Sequence, residues 1–264
     1  MSIVQAILFG VIQGATEFLP VSSSGHLAVL KSVLDLSEVP ILFDVLLHVA
    51  TLIVVIAVFR ERVWRILVSL WRWVRRRAES DDASNLRLAL VIVVATVATG
   101  VVGVGLNELE VGLQPKIVSA LFLVTAAILI GAHFFRGERG YGEIRVKDGL
   151  IVGVAQGFGV LPGISRSGIT ISASLAAGLS RERAGEFAFL ISIPAILGAL
   201  VLTLSDAGEL AAVVGPGALV AGFVAALVVG LASLLLLIRL IRGGRLFYFA
   251  FYLVPLGIVG LIWL

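Results

Sequence analysis

Long uninterrupted runs of apolar residues dominate the chain and set the expected architecture. Several runs approach or exceed the ~20 residues that a helix needs to cross a bilayer. The predicted spans are 41–59, 86–106, 117–135, 184–204, 217–238 and 246–264. Backbone groups in lipid must be satisfied within their own segment, and the sequence lacks the short alternating segments of a membrane β-barrel. We therefore predict an all-α integral membrane protein with six transmembrane spans.

Two further apolar regions, 3–34 and 149–179, are interrupted by glycine, proline and serine residues. Each interruption follows about 15 residues of apolar sequence, and the stretch after it is too short to cross a bilayer comfortably. Non-helical backbone at membrane depth is tolerated only where protein or a water-filled cavity surrounds it. We predict that each region forms a re-entrant hairpin, made of a helix, a break and a half-helix.

The two interrupted regions repeat each other. At a constant offset of 143, Gly10, Val11, Gln13, Gly14, Ser22, Ser24 and Gly25 recur as Gly153, Val154, Gln156, Gly157, Ser165, Ser167 and Gly168. An odd number of predicted spans separates the copies, so their topology must be inverted. Inverted repeats with broken helices place a site near the midplane, where the breaks meet. We predict one membrane domain, 1–264, with halves of about 1–136 and 148–264.

Charged residues are scarce and lie mainly between the predicted spans. They make up 14% of the chain against 59% for hydrophobic types, which excludes an ordinary soluble domain. The net charge of +3 does not indicate a nucleic-acid partner, because the arginines lie in loops, where they orient a membrane protein. Arginine-rich loops such as 60–77 alternate with loops that carry Glu108, Glu110, Asp206 and Glu209. One orientation places every basic loop in the cytoplasm and the first hairpin on the outer side. With no cysteines, disulfides and thiolate metal sites are excluded.

Polar and ionisable residues gather at the two interruptions. They are Gln13, Glu17, Ser22, Ser23, Ser24 and His26 in the first, and Ser165, Arg166, Ser167 and Thr170 in the second. An ionisable residue at membrane depth is costly and by default marks function. Glu17 and Arg166 occupy nearly equivalent places in the two copies, so we expect the repeat axis to bring them together.

The chemistry of these residues favours a phosphate ligand. The serines precede apolar helical runs as natural N-caps, and a helix N-terminus offers free N–H groups and a positive dipole end to an anion. The Arg166 guanidinium can bind phosphate bidentately. His26, one turn into the first half-helix, could act as nucleophile or general acid/base. Glu17 could orient His26, activate water or hold a divalent cation together with substrate phosphates.

At these residues the chain resembles the undecaprenyl-pyrophosphate phosphatase family associated with bacitracin resistance. The stretches that carry the resemblance are Gln13-Gly-Ala-Thr-Glu17-Phe-Leu-Pro-Val-Ser-Ser-Ser-Gly-His26 and Leu161-Pro-Gly-Ile-Ser-Arg-Ser-Gly-Ile-Thr170. The resemblance covers the whole chain. It implies dephosphorylation of the C55 lipid-carrier pyrophosphate to the monophosphate, which recycles the carrier for cell-envelope glycan synthesis. It also implies a divalent cation, Mg²⁺ or Ca²⁺, and a site open to the outer face of the plasma membrane.

We therefore assign catalytic roles to Glu17, Ser23, His26 and Arg166, with Ser23 or His26 as the nucleophile and Glu17 as base or metal ligand. The residues expected to bind substrate are Gln13, Ser22, Ser24, Ser165, Ser167 and Thr170. Some members of the family have a second glutamate where this chain has Gln13, so Glu17 must carry more of any metal site. The polyprenyl pyrophosphate lipid and the membrane are the expected partners, and a homodimer is left open.

Two points remain open from the sequence alone. The competing function is a transporter or flippase of a phosphorylated polyprenyl lipid, because inverted repeats with broken midplane helices are typical of transporters. The secondary site candidates are Asp44 and His48, four residues apart on the next span, and Glu186 on the equivalent span of the second half. We expect these three to line the cavity or to bridge elements.

Overall fold

The apolar runs form helices in the computed structural model, which describes residues 1–34, 41–108, 114–203, 210 and 214–263. The helices are α1 (Ile3–Phe18), α2 (Ser23–Val33), α3 (Ile41–Val58), α4 (Arg60–Val74), α5 (Ala83–Glu108), α6 (Pro115–Ala132), α7 (Val146–Phe158), α8 (Arg166–Ala176), α9 (Arg181–Thr203), α10 (Pro216–Arg242) and α11 (Ala250–Trp263). Short 3₁₀ turns precede α5, α7 and α11. They are Ser80–Asp82, Tyr141–Glu143 and Leu246–Phe249. The described residues form no β-strand, and only isolated bridges join 137 to 180 and 139 to 179.

Six of the described helices are long and apolar enough to cross a membrane. They are α3, α5, α6, α9, α10 and α11, where α5 and α11 include the 3₁₀ turns before them. These helices coincide with the six predicted spans to within a few residues at each end. The prediction of an all-α, multi-pass membrane protein is confirmed.

The two interrupted regions fold as predicted into a helix, a break and a shorter helix. In the first region α1 ends at Phe18 and α2 begins at Ser23, and in the second α7 ends at Phe158 and α8 begins at Arg166. Serines start both short helices, because the Ser22 and Ser165 side chains accept hydrogen bonds from the backbone N–H groups three residues ahead. The acidic loop residues Glu110, Asp206 and Glu209 lie outside the described residues, as does the side chain of Glu108.

The arginine-rich stretch after α3 corrects the sequence analysis, which treated it as a loop. It forms α4, whose Trp64, Leu67 and Trp71 are exposed while Ile66 and Ser69 are buried. The apolar residues recur at helical spacing, but the high density of arginine hides that pattern from a search for membrane spans. An amphipathic helix that carries exposed tryptophans and several arginines is typical of the membrane interface.

Glycines allow the first helix of each repeat to lie directly on a long helix. A Cβ atom on Gly10 of α1 would collide with the carbonyl of Gly222 on α10, and one on Gly153 of α7 would collide with the carbonyl of Ala95 on α5. The next glycine along each helix makes a similar close approach. Gly14 of α1 packs against α10, and Gly157 of α7 packs against α5. Each half therefore packs its first helix on a helix that belongs to the other half.

Candidate active site

The two chain breaks contact each other inside the helix bundle. The Gly163 N–H donates a 2.9 Å hydrogen bond to the Ser22 hydroxyl. Thr125 of α6 holds the second break, because its hydroxyl donates to the Gly163 carbonyl at 2.8 Å and accepts from the Ser165 N–H at 3.0 Å. Ser22 has a left-handed backbone, with φ of 67°, which costs a non-glycine residue about 1 kcal/mol or more. The surrounding contacts therefore fix a conformation that the chain alone would avoid.

Glu17, in the last turn of α1, is the centre of the polar cluster. Its Oε1 atom contacts the Arg166 guanidinium at the start of α8. Its Oε2 atom accepts hydrogen bonds from the Ser23 hydroxyl at 2.6 Å and from Gln13 Nε2 at 3.1 Å. His48 Nε2 of α3 lies 3.3 Å from the same oxygen. The predicted convergence of Glu17 and Arg166 is confirmed, and it joins residues from both chain breaks.

The Glu17–Arg166 pair is largely removed from solvent, with side-chain exposures of 7% and 22%. Two charges taken out of water must compensate each other's desolvation through pairing and further hydrogen bonds. Glu17 has these bonds in Ser23 and Gln13. Removing either charge would leave the other buried without a partner, at a cost of about 3–5 kcal/mol. The arrangement is therefore stable only while a counter-charge is present, and an anionic ligand could take the place of Glu17 at Arg166.

His26 points away from Glu17. Its Nδ1 atom lies 2.7 Å from the Ser22 carbonyl oxygen, and its Nε2 atom lies 2.8 Å from the Tyr252 hydroxyl of α11. The His26 and Tyr252 rings stack with an interplanar angle of 11°. Both ring nitrogens thus contact other groups, so one of the three roles considered for Glu17, the orientation of His26, is wrong. Sequence reasoning missed Tyr252 because a single tyrosine on a distant apolar span carries no local signal.

The serines of the second break cap α8. The Ser165 hydroxyl accepts from the Gly168 N–H at 3.1 Å and lies 3.2 Å from the Ser167 hydroxyl. Thr170 donates to the Arg166 carbonyl at 2.7 Å. These hydroxyls surround the N-terminus of α8, where its free N–H groups lie. Their roles in substrate binding stay predictions.

The serines of the first break are arranged in the same way around α2. The Gly25 N–H donates to the Ser22 hydroxyl at 3.4 Å, and the Ser24 hydroxyl lies 3.4 Å from that of Ser22. Ser22 and Ser165 are related by the sequence repeat, and so are the glycines that they cap. The two short helices therefore begin with equivalent caps at the place where the breaks meet.

The secondary candidates separate into one site residue and two bridging residues. His48 contacts Glu17 directly and lies closer to the centre of the site than expected. Asp44 instead pairs with Lys31 at 2.7 Å and so joins α3 to α2. Glu186 pairs with Arg62 at 2.7 Å and so joins α9 to α4. Of the two residues spaced four apart on α3, only His48 contacts the site on α1.

The free space beside Glu17 and Arg166 is small. The cavity is about 10 Å³, which is room for roughly one water molecule. Thr51 of α3 and Ser192 of α9 line it together with Ser167 and Thr170. A pyrophosphate needs far more room, since ligand pockets usually measure about 300–1,000 Å³. A pyrophosphate would therefore fit at this position only after the side chains or helices around the cavity move.

The oxygen atoms at Glu17 fit a divalent cation only in part. The Gln13 Oε1 atom is buried without a hydrogen-bond partner among the described residues, beside the Glu17 carboxylate and the Ser23 hydroxyl. The described residues hold no group of three His, Cys, Asp or Glu side chains suited to a metal. Mg²⁺ is often bound through one or two carboxylates plus substrate phosphates. The residues present therefore fit a cation that the substrate would share.

Comparison with known proteins identifies the family. The family described as "Bacitracin resistance protein BacA" matches residues 6–259. An undecaprenyl-diphosphatase of Treponema denticola is 46% identical over 258 residues, which cover 98% of this chain and 96% of the relative. Proteins of the same name from Korarchaeum cryptofilum and Methanosphaera stadtmanae are 39% and 35% identical and cover 98% and 99% of this chain, and 98% of each relative. The chain belongs to the BacA bacitracin resistance protein family.

Proposed function

We propose that the protein hydrolyses undecaprenyl pyrophosphate to undecaprenyl monophosphate and inorganic phosphate. The names of the relatives and their match along nearly the whole chain support this substrate. One observation carries the mechanism. The Ser23 hydroxyl donates a 2.6 Å hydrogen bond to Glu17, whose other oxygen contacts Arg166. A hydroxyl on a carboxylate base, beside a guanidinium that binds phosphate, is the arrangement that phosphoryl transfer needs.

In the proposed reaction Ser23 is the nucleophile and Glu17 the base. The Ser23 oxygen attacks the terminal phosphorus, its proton passes to Glu17 Oε2, and the bond from that phosphorus to the bridging oxygen breaks. The polyprenyl monophosphate leaves with the bridging oxygen and takes up the proton from Glu17, which returns to its carboxylate form. Water then attacks the phosphoserine, gives one proton to Glu17 as it does so, and releases inorganic phosphate. Ser23 recovers its proton from Glu17, so the enzyme returns to its starting state.

Arg166 and the two helix N-termini bind the phosphates in this proposal. When the groups around the cavity move, the guanidinium exchanges one oxygen of Glu17 for phosphate oxygens, which it can hold bidentately. Charge that develops on the transferring phosphoryl group is stabilised by the guanidinium and by the N–H groups at the starts of α2 and α8. The capping hydroxyls of Ser22 and Ser165, with Ser24, Ser167 and Thr170, supply further donors.

Ser23 is favoured over His26 as the nucleophile. Attack by His26 would first require loss of its hydrogen bond to Tyr252, and no carboxylate contacts its ring among the described residues. Ser23 already holds the bond to the base that an attacking hydroxyl requires. In this assignment His26 holds the Ser22 carbonyl, and so fixes the backbone that presents Ser23.

A divalent cation, Mg²⁺ or Ca²⁺, is proposed to bind with the substrate. Glu17 and the unpartnered Gln13 oxygen would hold it, and the pyrophosphate would complete its ligands. When bound, the cation neutralises charge on the pyrophosphate. Because Gln13 is neutral, Glu17 would be the one charged protein ligand from the first break.

The inverted repeat and the re-entrant form of both hairpins are part of this proposal. Two sets of equivalent contacts support the repeat. Gly10 and Gly153 both meet a carbonyl of a long helix, and Ser22 and Ser165 both cap a short helix. The lengths of α2 and α8, 11 residues each, support a re-entrant path, because neither can cross a bilayer.

The site is proposed to open to the extracytoplasmic face of the plasma membrane. The arginines after α3, before α9 and after α10 lie at one end of the spans, which the charge rule assigns to the cytoplasm. In this orientation the α1–α2 hairpin, which carries Glu17 and Ser23, enters from the opposite face. The substrate would then reach the acid and the hydroxyl from outside.

The test is phosphate release by the purified protein in detergent with undecaprenyl pyrophosphate. Wild type should release inorganic phosphate, and Ser23→Ala should lose at least 100-fold in rate. Wild type denatured in SDS at neutral pH during turnover, with substrate labelled in its terminal phosphate, should carry the label on Ser23. Label on His26, or wild-type turnover by Ser23→Ala, would contradict the mechanism. Binding without phosphate release would contradict the enzyme itself and favour transport.

A further inference from the structure

A second cleft lies at the arginine-rich ends of three spans, apart from the Glu17 site. It measures about 430 Å³ and is bounded by the end of α3, the start of α4, the start of α9 and the end of α10. It shares no lining residue with the cavity beside Glu17. None of the residues in the proposed reaction lines this cleft, so its charges and shape are not explained by that reaction.

The inner wall of this cleft is a fixed ionic cluster. Glu186 receives a hydrogen bond from Arg62 at 2.7 Å and one from Arg183 at 2.8 Å, one on each carboxylate oxygen. Both guanidiniums lie over the Tyr141 ring, at 5.1 and 5.2 Å from its centroid. Burial raises the pKa of the Tyr141 phenol well above its usual range, so the ring stays neutral between the two cations. One carboxylate against two guanidiniums leaves this wall positive.

The rim of the cleft carries exchangeable arginines. Arg65 pairs with Glu61 at 3.5 Å and Arg242 pairs with Glu182 at 2.9 Å, and all four side chains are largely exposed. Such exposed pairs contribute only about 0–1 kcal/mol, so a better anion can replace the glutamate. The exposed Arg60 donates to the carbonyl of Ala57. Five arginines against three glutamates make the cleft as a whole positive.

The remaining wall is apolar and lies at the membrane boundary. Val58 and Phe59 of α3 and the turn after it face Ile238 and Ile241 of α10. The exposed Leu235 lies one turn before Ile238, on the surface of α10 that faces away from the protein core. Helix α4 begins at the cleft and exposes Trp64 and Trp71, residues that anchor helices at the headgroup level. A ligand here would meet arginines at one end and hydrocarbon at the other.

We propose that this cleft binds the phosphate headgroup of an anionic membrane lipid. The phosphate sits against Arg60, Arg65 and Arg242, because guanidinium forks match phosphate geometry. The acyl chain leaves along Phe59 and Ile238 into the bilayer. The apolar wall and the position at the ends of three spans favour a lipid over free phosphate, because free phosphate has no apolar part that could contact the wall or enter the bilayer.

The experiment measures lipid binding to the full-length protein by native mass spectrometry in neutral detergent. The probes are dioctanoyl phosphatidylglycerol, dioctanoyl phosphatidylcholine and glycerol 3-phosphate. The rim variant R60Q/R65Q/R242Q is compared with R75Q/R76Q/R77Q, which removes the same charge from exposed arginines beyond the end of α4. We expect at least tenfold weaker binding of phosphatidylglycerol to the rim variant and wild-type binding to the control, with weak binding of phosphatidylcholine to both.

Two results would overturn the proposal. Equal losses in the rim variant and its control would show attraction by the general surface charge instead of a site. Competition by glycerol 3-phosphate at the same concentration as phosphatidylglycerol would show that the cleft binds a free phosphate ester and that the tail contributes nothing. Thermal melting of each variant reports whether it is folded. If the triple variant unfolds, R242E alone, at an exposed position, gives the same comparison against R75E.

Discussion

At the scale of single residues, Glu17 is held by four side chains that come from four helices. Gln13 lies one turn before it on α1, Ser23 begins α2, His48 comes from α3, and Arg166 begins α8. Hydrogen bonds to a charged group contribute about 1.5–3 kcal/mol each, more than neutral ones. Small changes among these four partners should therefore have measurable effects on activity.

Arg166→Lys should reduce the rate of phosphate release at least 100-fold. Lysine keeps the charge but replaces a planar fork with a point charge, so bidentate binding of the phosphoryl group is lost. Substrate titration in detergent with wild type and the variant checks this. The control is Arg75→Lys, at an exposed position, which should keep wild-type activity. Full activity of Arg166→Lys would refute the assigned role.

His48→Leu should slow phosphate release about ten- to 100-fold, while His48→Gln should lose less. Leucine removes the polar group that lies 3.3 Å from Glu17 Oε2, whereas glutamine can place an amide N–H near that oxygen. Steady-state rates of the two variants, with melting temperatures to confirm folding, decide the matter. Equal rates in His48→Leu and wild type would show that His48 only fills space beside the acid.

The sequence could predict part of this cluster, and the limit has a physical cause. Glu17 and Arg166 stand out because ionisable residues are rare at membrane depth, and the repeat indicated that they meet. Tyr252 does not stand out, and His48 does so only as a secondary candidate, because one polar residue on an apolar span is ambiguous until packing shows which face it occupies. The direction of the His26 ring was likewise not predictable, since a carbonyl one turn back competes with any side-chain partner.

At the scale of helices, close packing of α1 on α10 and of α7 on α5 depends on glycine. Without a hydrophobic driving force between helices in lipid, association relies on van der Waals contact, and small residues let backbones approach. The boundaries of these helices follow from the apolar runs and the serine caps. The sequence does not predict which helix each of them packs against. Glycine spacing indicates that a close neighbour exists but does not identify it.

Gly153→Ala should destabilise the protein by about 1–3 kcal/mol, because the added methyl would meet the backbone of Ala95. Gly100→Ala is the matched control on α5, where nothing lies within 4 Å of the added atom. That variant should be neutral or stabilised by up to about 1 kcal/mol, since alanine favours helix more than glycine. Thermal unfolding in detergent compares the two, and equal melting temperatures would contradict the described packing.

At the scale of the whole molecule, we expect the basic ends of the spans to determine how the chain lies in the membrane. The chain has no cysteine, so a single introduced thiol can report its side. Gln114→Cys, before α6, should react with an impermeant maleimide in intact cells, and Arg76→Cys, after α4, only after the membrane is opened. Labelling of Arg76→Cys in intact cells would reverse the orientation and place the proposed lipid cleft outside.

The packing of α1 on α10 also has a consequence for biogenesis. During synthesis α7 can settle on α5 as soon as it is made, whereas α1 leaves the ribosome first and must wait for α10, near the end of translation. The hairpin that carries the acid therefore gains its close-packed neighbour later than the hairpin that carries the guanidinium. In a nascent chain halted before α10, the α7–α8 hairpin with Arg166 could already pack on α5. The α1–α2 hairpin with Glu17 would still lack the helix on which it packs.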